Sequence, residues 1–115
     1  MLLVDDYDLF REALAVVLKK HTSLGEDVQA GSLAEARQVL SSRTSNDFAL
    51  AVVDLDLPDE DGFELMEELR RAGIPMLALT SRDSERLAGE SANGVLTTAT
   101  SCEEILDAAR RLISD

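Results

Sequence analysis

Apolar positions fall along this chain in two rhythms. Short continuous runs, Leu2-Leu3-Val4, Leu50-Ala51-Val52-Val53 and Met76-Leu77-Ala78-Leu79, alternate with stretches in which apolar residues recur at helical spacing. An unbroken apolar run predicts a strand buried on both faces, whereas the 3.6-residue period predicts a helix that buries one stripe. On that basis Leu2–Val4 is the first strand, and Leu9, Phe10, Ala13, Leu14, Val17 and Leu18 mark a helix running through Lys20. Val28–Ala30 is a short second strand. Ser32 with Glu35 three residues on forms a capping box that opens a helix to about Ser42. Leu50–Val53 is the third strand. Phe63, Leu65, Met66 and Leu69 give a third helix, which Gly73 ends as a C′ residue. Pro75 leads into the fourth strand, Met76–Leu79, ending at Thr80. A short, weak helical pattern covers Glu85–Ser91, and Val95–Thr97 is a fifth strand. Ser101 and Glu104 form a second capping box at the head of a last helix, Cys102–Ile113.

Strands alternating with helices imply βαβ units and a parallel sheet covered on both faces. The expected fold is α/β: a flavodoxin-like, doubly wound five-stranded parallel sheet, forming one domain over residues 1–115. In such sheets the ligand site lies beyond the carboxyl ends of the strands. Aromatic residues make up only 3% of the chain, so the core must rest on Leu, Val, Ala and Ile. The net charge of −12 disfavours direct binding to nucleic acid, which needs a basic face, and favours cations or basic surfaces as partners. A single cysteine, Cys102, argues against a disulfide framework and suits a reducing compartment. No segment approaches the roughly 20 apolar residues of a membrane helix, and the N-terminus lacks the regions of a secretory signal. A cytoplasmic location with no membrane partner is expected.

The strand ends carry the chemistry. The first strand delivers Asp5 and Asp6; the third delivers Asp54, with Asp56 two residues later; the fourth delivers Thr80 and Ser81; the fifth delivers Thr97 and Thr98. Two carboxylates about 4 Å apart repel by roughly 4 kcal/mol at an effective dielectric near 20. Three acids drawn from two separate strand ends onto one rim therefore call for a cation. Oxygen donors select a hard divalent ion, here Mg²⁺. Asp8, Asp59, Glu60 and Asp61 are read instead as helix-capping or solvated surface acids.

LVDDYDLFREAL, VVDLDLPDEDGFEL and IPMLALTS, in this order and over nearly the whole chain, resemble the receiver domain of two-component response regulators. Leu9-Phe10-Arg11-Glu12 is most similar to receivers that precede a LuxR-type DNA-binding domain. The resemblance implies a signal-receiving function. Asp54 accepts a phosphoryl group from a sensor histidine kinase or phosphotransfer protein. Asp5 and Asp6 hold Mg²⁺ with Asp54, and Asp56 lends its backbone carbonyl. The Thr80 hydroxyl bonds the phosphoryl group and acts as a switch. The family is not enzymatic in the turnover sense. It also implies a homodimer surface formed by the fourth helix (Glu85–Ser91), fifth strand and fifth helix (Cys102–Ile113), and DNA contact only through a separate output domain.

One departure bears on function. The family places a lysine at the end of the fifth strand, and alignment on Gly94 and Leu96 puts Thr98 there, with Val95 at the aromatic switch position; no lysine follows Lys20. A threonine hydroxyl donates a hydrogen bond but no charge. Two readings are open: phosphorylation at Asp54 with slower reaction or weaker switching, where Arg82 or Arg86 could replace the missing charge, or an atypical receiver that works without phosphorylation as an interaction or dimerisation module. A third class, the phosphatases of the haloacid dehalogenase type, is suggested by Asp54-Leu55-Asp56. It is disfavoured because that motif belongs after the first strand and this one carries Pro58. His21, Lys19 and Lys20 are read as charges at a helix C-terminus, Cys102 as a structural thiol, and Arg70-Arg71 and Arg110-Arg111 as too short for a nucleic-acid patch.

Overall fold

A computed structural model describes residues 1–23, 26–42, 48–55, 62–80, 92–97 and 101–113. Its elements, in chain order, are β1 (Leu2–Val4), α1 (Asp8–His21), β2 (Val28–Ala30), α2 (Leu33–Ser42), β3 (Ala51–Asp54), α3 (Gly62–Arg71), β4 (Met76–Thr80), β5 (Gly94–Thr97) and α4 (Cys102–Ile113). All five strands pair in parallel in the order β2-β1-β3-β4-β5. This is the doubly wound, flavodoxin-like sheet expected from the pattern. The helix expected at Glu85–Ser91 lies outside the described residues.

The continuous apolar runs are explained by two cores, one on each face. Leu2, Val4, Ala51, Val53, Met76 and Ala78 point to the side covered by α2 and α3, where they meet Leu33, Ala36, Leu65, Met66 and Leu69. Leu3, Val52, Leu77 and Leu79 point the other way, onto Leu14, Ala15 and Leu18 of α1 and Ile105, Leu106 and Ala109 of α4. Successive strand residues alternate between faces, so each needs an apolar side chain. Full burial of one such residue contributes roughly 1.5–3 kcal/mol.

The helix ends follow local chemistry. The Ser32 hydroxyl accepts from the Glu35 N–H at 3.1 Å, while the Glu35 carboxylate reaches back to the Gly31 N–H at 2.6 Å, one residue earlier than in the standard box. At α4, Ser101 Oγ accepts from the Glu104 N–H at 3.3 Å and donates to its carboxylate at 3.2 Å. Gly73 takes φ +76°. Its N–H bonds the Arg70 carbonyl and the Ile74 N–H bonds that of Leu69, each at 3.1 Å, which is a Schellman ending of α3.

Asn93, which the apolar pattern does not mark, pins the start of β4. Its Oδ1 accepts from the Met76 N–H and its own N–H donates to the Met76 carbonyl, both at 2.9 Å. Among the described residues no helix is long and apolar enough to cross a membrane.

Candidate functional site

β1 and β3 are neighbours in the sheet, with Val4 paired to Val53. Their carboxyl ends therefore release Asp5-Asp6 and Asp54 side by side. One carboxylate oxygen from each of the three lies within 4.8 Å of the others. Asp5 is buried, Asp54 half-buried and Asp6 exposed. They line an open cleft of about 310 Å³ together with Tyr7, Phe10 and Leu79.

The strand geometry holds Asp5 firmly. Its N–H donates to the Ala30 carbonyl at 3.1 Å, and its Oδ1 accepts from the Tyr7 N–H at 2.9 Å. Burial pushes its carboxyl above the ordinary 3.8; the Tyr7 N–H opposes this, the Asp6 charge adds to it, and Arg11 opposes it again. Opposing donors do not remove the net rise. The cleft thus presents a cluster of hard carboxylate oxygen donors, a donor set that fits Mg²⁺.

Asp54 is the last residue of β3, and the next N–H, of Leu55, donates to the Leu79 carbonyl at 2.8 Å, tying this end to β4. α3 begins directly beneath. A Cβ at Gly62 would stand 3.0 Å from both Leu55 Cα and Cδ2, so only glycine lets the helix start this close to the end of β3.

Thr80 ends β4 opposite Thr97 of β5. It is fully buried, and its Oγ1 has no hydrogen-bond partner among the described residues. Asp8 is exposed in the first turn of α1 and pairs with Arg11 at 2.8 Å. Asp56 and Thr98, with Ser81, Arg82, Arg86, Asp59, Glu60 and Asp61, lie outside the described residues.

Of the sequence-predicted set, then, Asp5, Asp6 and Asp54 come together and Thr80 ends the adjoining strand. Sequence reasoning missed the parts played by Gly62 and Arg11. The Asp61-Gly62 step before an apolar helix was a usable signal for the first. Arg11, in contrast, is one more arginine in a helical pattern until the fold brings it to β1.

The model of the family described as response regulator receiver domain matches residues 1–110. Among curated proteins, the chain is similar to the transcriptional regulatory protein BasR of Escherichia coli, with 33% identity over 77% of this chain and 40% of that one. It is 34% identical to the response regulator MprA of Mycolicibacterium vanbaalenii, over 98% of this chain and 49% of that one. The chain spans half or less of the length of these relatives. Among solved structures, a putative response regulator from Chloroflexus aurantiacus superposes with a TM-score of 0.80 and 26% identity, covering 99% of this chain and 96% of that one. A response regulator protein from Burkholderia pseudomallei, described with a phosphorylated aspartic acid, a calcium ion and citrate, gives 0.77 and 25%, covering 98% of this chain and 67% of that one.

Proposed function

This chain belongs to the response regulator receiver domains, and from that premise we propose that Asp54 is its phosphoryl acceptor and that Asp5, Asp6 and Asp54 hold Mg²⁺ beside it. The observation that carries the reading is the convergence of three carboxylates from two strand ends in one cleft, with burial raising the Asp5 carboxyl above its ordinary value. The B. pseudomallei relative, with its phosphorylated aspartic acid and calcium ion, supports the same pairing of chemistry.

In this reading the Asp54 carboxylate oxygen attacks phosphorus as the bond to the donor's histidine nitrogen breaks, leaving an acyl phosphate on the chain and a neutral imidazole once that nitrogen is protonated. Asp54 is suited to it because β3 holds its backbone while its side chain remains half-exposed in the cleft. Bound Mg²⁺ supplies the positive charge that an anionic nucleophile and phosphoryl group need in order to approach. The Asp56 carbonyl completes the ligand set by family resemblance. Thr80 brings to the end of the adjoining strand a buried hydroxyl whose donor is unused among the described residues, as a group that bonds the phosphoryl oxygens requires. With Thr98 in place of the family's lysine, the modified state is held by hydrogen bonds rather than by an ammonium charge, and switching is weaker.

The donor is a sensor histidine kinase or a phosphotransfer protein. The read-out is an output domain outside this chain, DNA-binding in keeping with the name of the BasR relative; its LuxR type rests on the Leu9–Glu12 segment alone. Homodimerisation through the helix expected at Glu85–Ser91, β5 and α4 belongs to the same proposal. No observation favours an interaction module that works without phosphorylation.

Intact-mass analysis after incubation with Mg²⁺ and a small phosphodonor tests the reading. The expected result is a gain of one phosphoryl group in the wild type, none in Asp54→Ala and none when Mg²⁺ is chelated. A gain that persists in Asp54→Ala, or no gain in the wild type, overturns it.

A further inference from the structure

The acid cleft depends on where the peptide joining Asp5 to Asp6 points, and one side chain outside the cleft holds that peptide. Arg11 of α1 is only 13% exposed, and its donors go to three parts of the fold. Nη1 donates to the Asp5 carbonyl at 2.6 Å, Nε to Oε1 of Gln29 on β2 at 3.0 Å, and Nη2 pairs with Asp8 Oδ1 at 2.8 Å. Gln29 is fixed in turn. Its Nε2 donates to Asp27 Oδ2 at 3.0 Å, and Asp27 faces Lys19 of α1 at 3.7 Å. Gly31 keeps the space clear, since a Cβ there would lie 3.3 Å from Arg11 Nη1.

Asp5 is thus held at three points. Its N–H and its carboxylate are held by backbone groups, those of Ala30 and Tyr7, which any residue at those positions supplies. Its carbonyl is held by the Arg11 side chain. That carbonyl belongs to the peptide between the two acids, so its direction sets how Asp6 leaves the strand. A half-buried guanidinium with three differently directed partners has one orientation, because its donors are fixed in a plane; an ammonium group lacks that fork.

Resting on the reading in which Asp5 and Asp6 hold the cation, we propose that Arg11 is a positioning residue of the metal site, fixing the Asp5–Asp6 peptide through its bond to the Asp5 carbonyl while itself anchored on Gln29. Groups that orient metal ligands without touching the metal typically govern affinity by 10- to 100-fold. A residue that merely ties α1 to β2 would change stability and leave cation affinity alone.

Arg11→Lys keeps the charge and removes the fork. Mg²⁺ binding is followed by calorimetry and by emission of Tyr7, which lines the cleft and is the only tyrosine in a chain without tryptophan. The rate of phosphorylation by a small phosphodonor is followed against Mg²⁺ concentration in parallel. The expected result is Mg²⁺ half-saturation raised about tenfold, with the rate at saturating Mg²⁺ within about twofold of wild type. Affinity within about threefold of wild type, even with a lowered thermal midpoint, overturns the proposal. Should circular dichroism show Arg11→Lys unfolded, Gln29→Met carries the test. It leaves Arg11 in place and removes the acceptor of Nε, and the same threefold limit decides. Absence of Mg²⁺ binding in the wild type itself would instead overturn the proposed function, so the two failures are distinguishable.

Discussion

At the scale of single residues, the proposed cation site rests on a carboxyl, Asp5, that burial makes uncomfortable as an anion. Burial and the neighbouring Asp6 charge hold its carboxyl above 3.8, and the Tyr7 N–H and Arg11 only partly offset them. A carboxyl whose folded value lies above its unfolded one favours the folded state at low pH, where both states are protonated. That contribution is lost as pH rises through the folded value. In Mg²⁺-free buffer, Asp5→Asn should therefore melt above wild type at pH 7, and the gap should close as pH approaches 3.8. Adding Mg²⁺ at pH 7 should raise wild type and leave Asp5→Asn nearly unmoved. Thermal unfolding of the two proteins, with and without chelator, checks both statements. A gap that widens toward acid would mean that Asp5 is stabilised as an anion without any cation.

At the scale of elements, Gly62 joins helix to site. Gly62→Ala places a methyl group 3.0 Å from the Leu55 backbone, and a backbone atom cannot rotate away. α3 must shift, at about 1–3 kcal/mol, and the shift bears on the residue next to Asp54. Urea unfolding should show that loss, and phosphorylation should slow as well. By comparison, Arg37 joins α2 to Glu64 and Glu68 of α3 through ion pairs of 3.3–3.6 Å with partly exposed side chains, so Arg37→Ala should cost no more than about 1 kcal/mol. The difference between these residues also marks what a sequence can disclose. Strands flanked on both faces, the helix caps at Ser32 and Ser101 and the left-handed Gly73 are local features, written in neighbouring residues, and they were legible to within a residue. β3 runs from Ala51 to Asp54 rather than from Leu50 to Val53, with the Leu50 carbonyl accepting the first bond of its ladder from the Leu2 N–H. The convergence of Asp5, Asp6 and Asp54 was legible because strand ends in a parallel sheet share one rim. The Asn93 clamp, the Gly62 contact and the Arg11 bond to Asp5 were not, since each joins segments distant in sequence through a single side chain that no period identifies.

At the scale of the whole molecule, the site and the core occupy different places, and their energies should separate. The cores lie on the two faces of the sheet; the acids stand on its carboxyl rim, balanced by no lysine beyond Lys20 in a chain of net charge −12. Leu18 is fully buried near the C-terminal end of α1, whereas Asp5 and Asp6 lie beyond the opposite end of that helix. Leu18→Ala should cost about 2–5 kcal/mol through the cavity it leaves. It should do so with little change in Mg²⁺ affinity, because its core reaches the cleft through the apolar Phe10 and Leu79 and not through the acids. The increment in unfolding free energy that a fixed Mg²⁺ concentration gives wild type should then appear unchanged in Leu18→Ala, as linkage requires of a ligand that binds only the folded state. Combined with Asp5→Asn, the two effects should add to within about 0.5 kcal/mol. Urea titrations of the four proteins at constant ionic strength, with Mg²⁺ or an equivalent of sodium salt, measure all of these quantities. A coupling well beyond that limit would mean that α1 transmits core packing to the acid pair along its length. Arg11 would then be the residue through which it does so, since it is the α1 side chain that holds the Asp5 carbonyl.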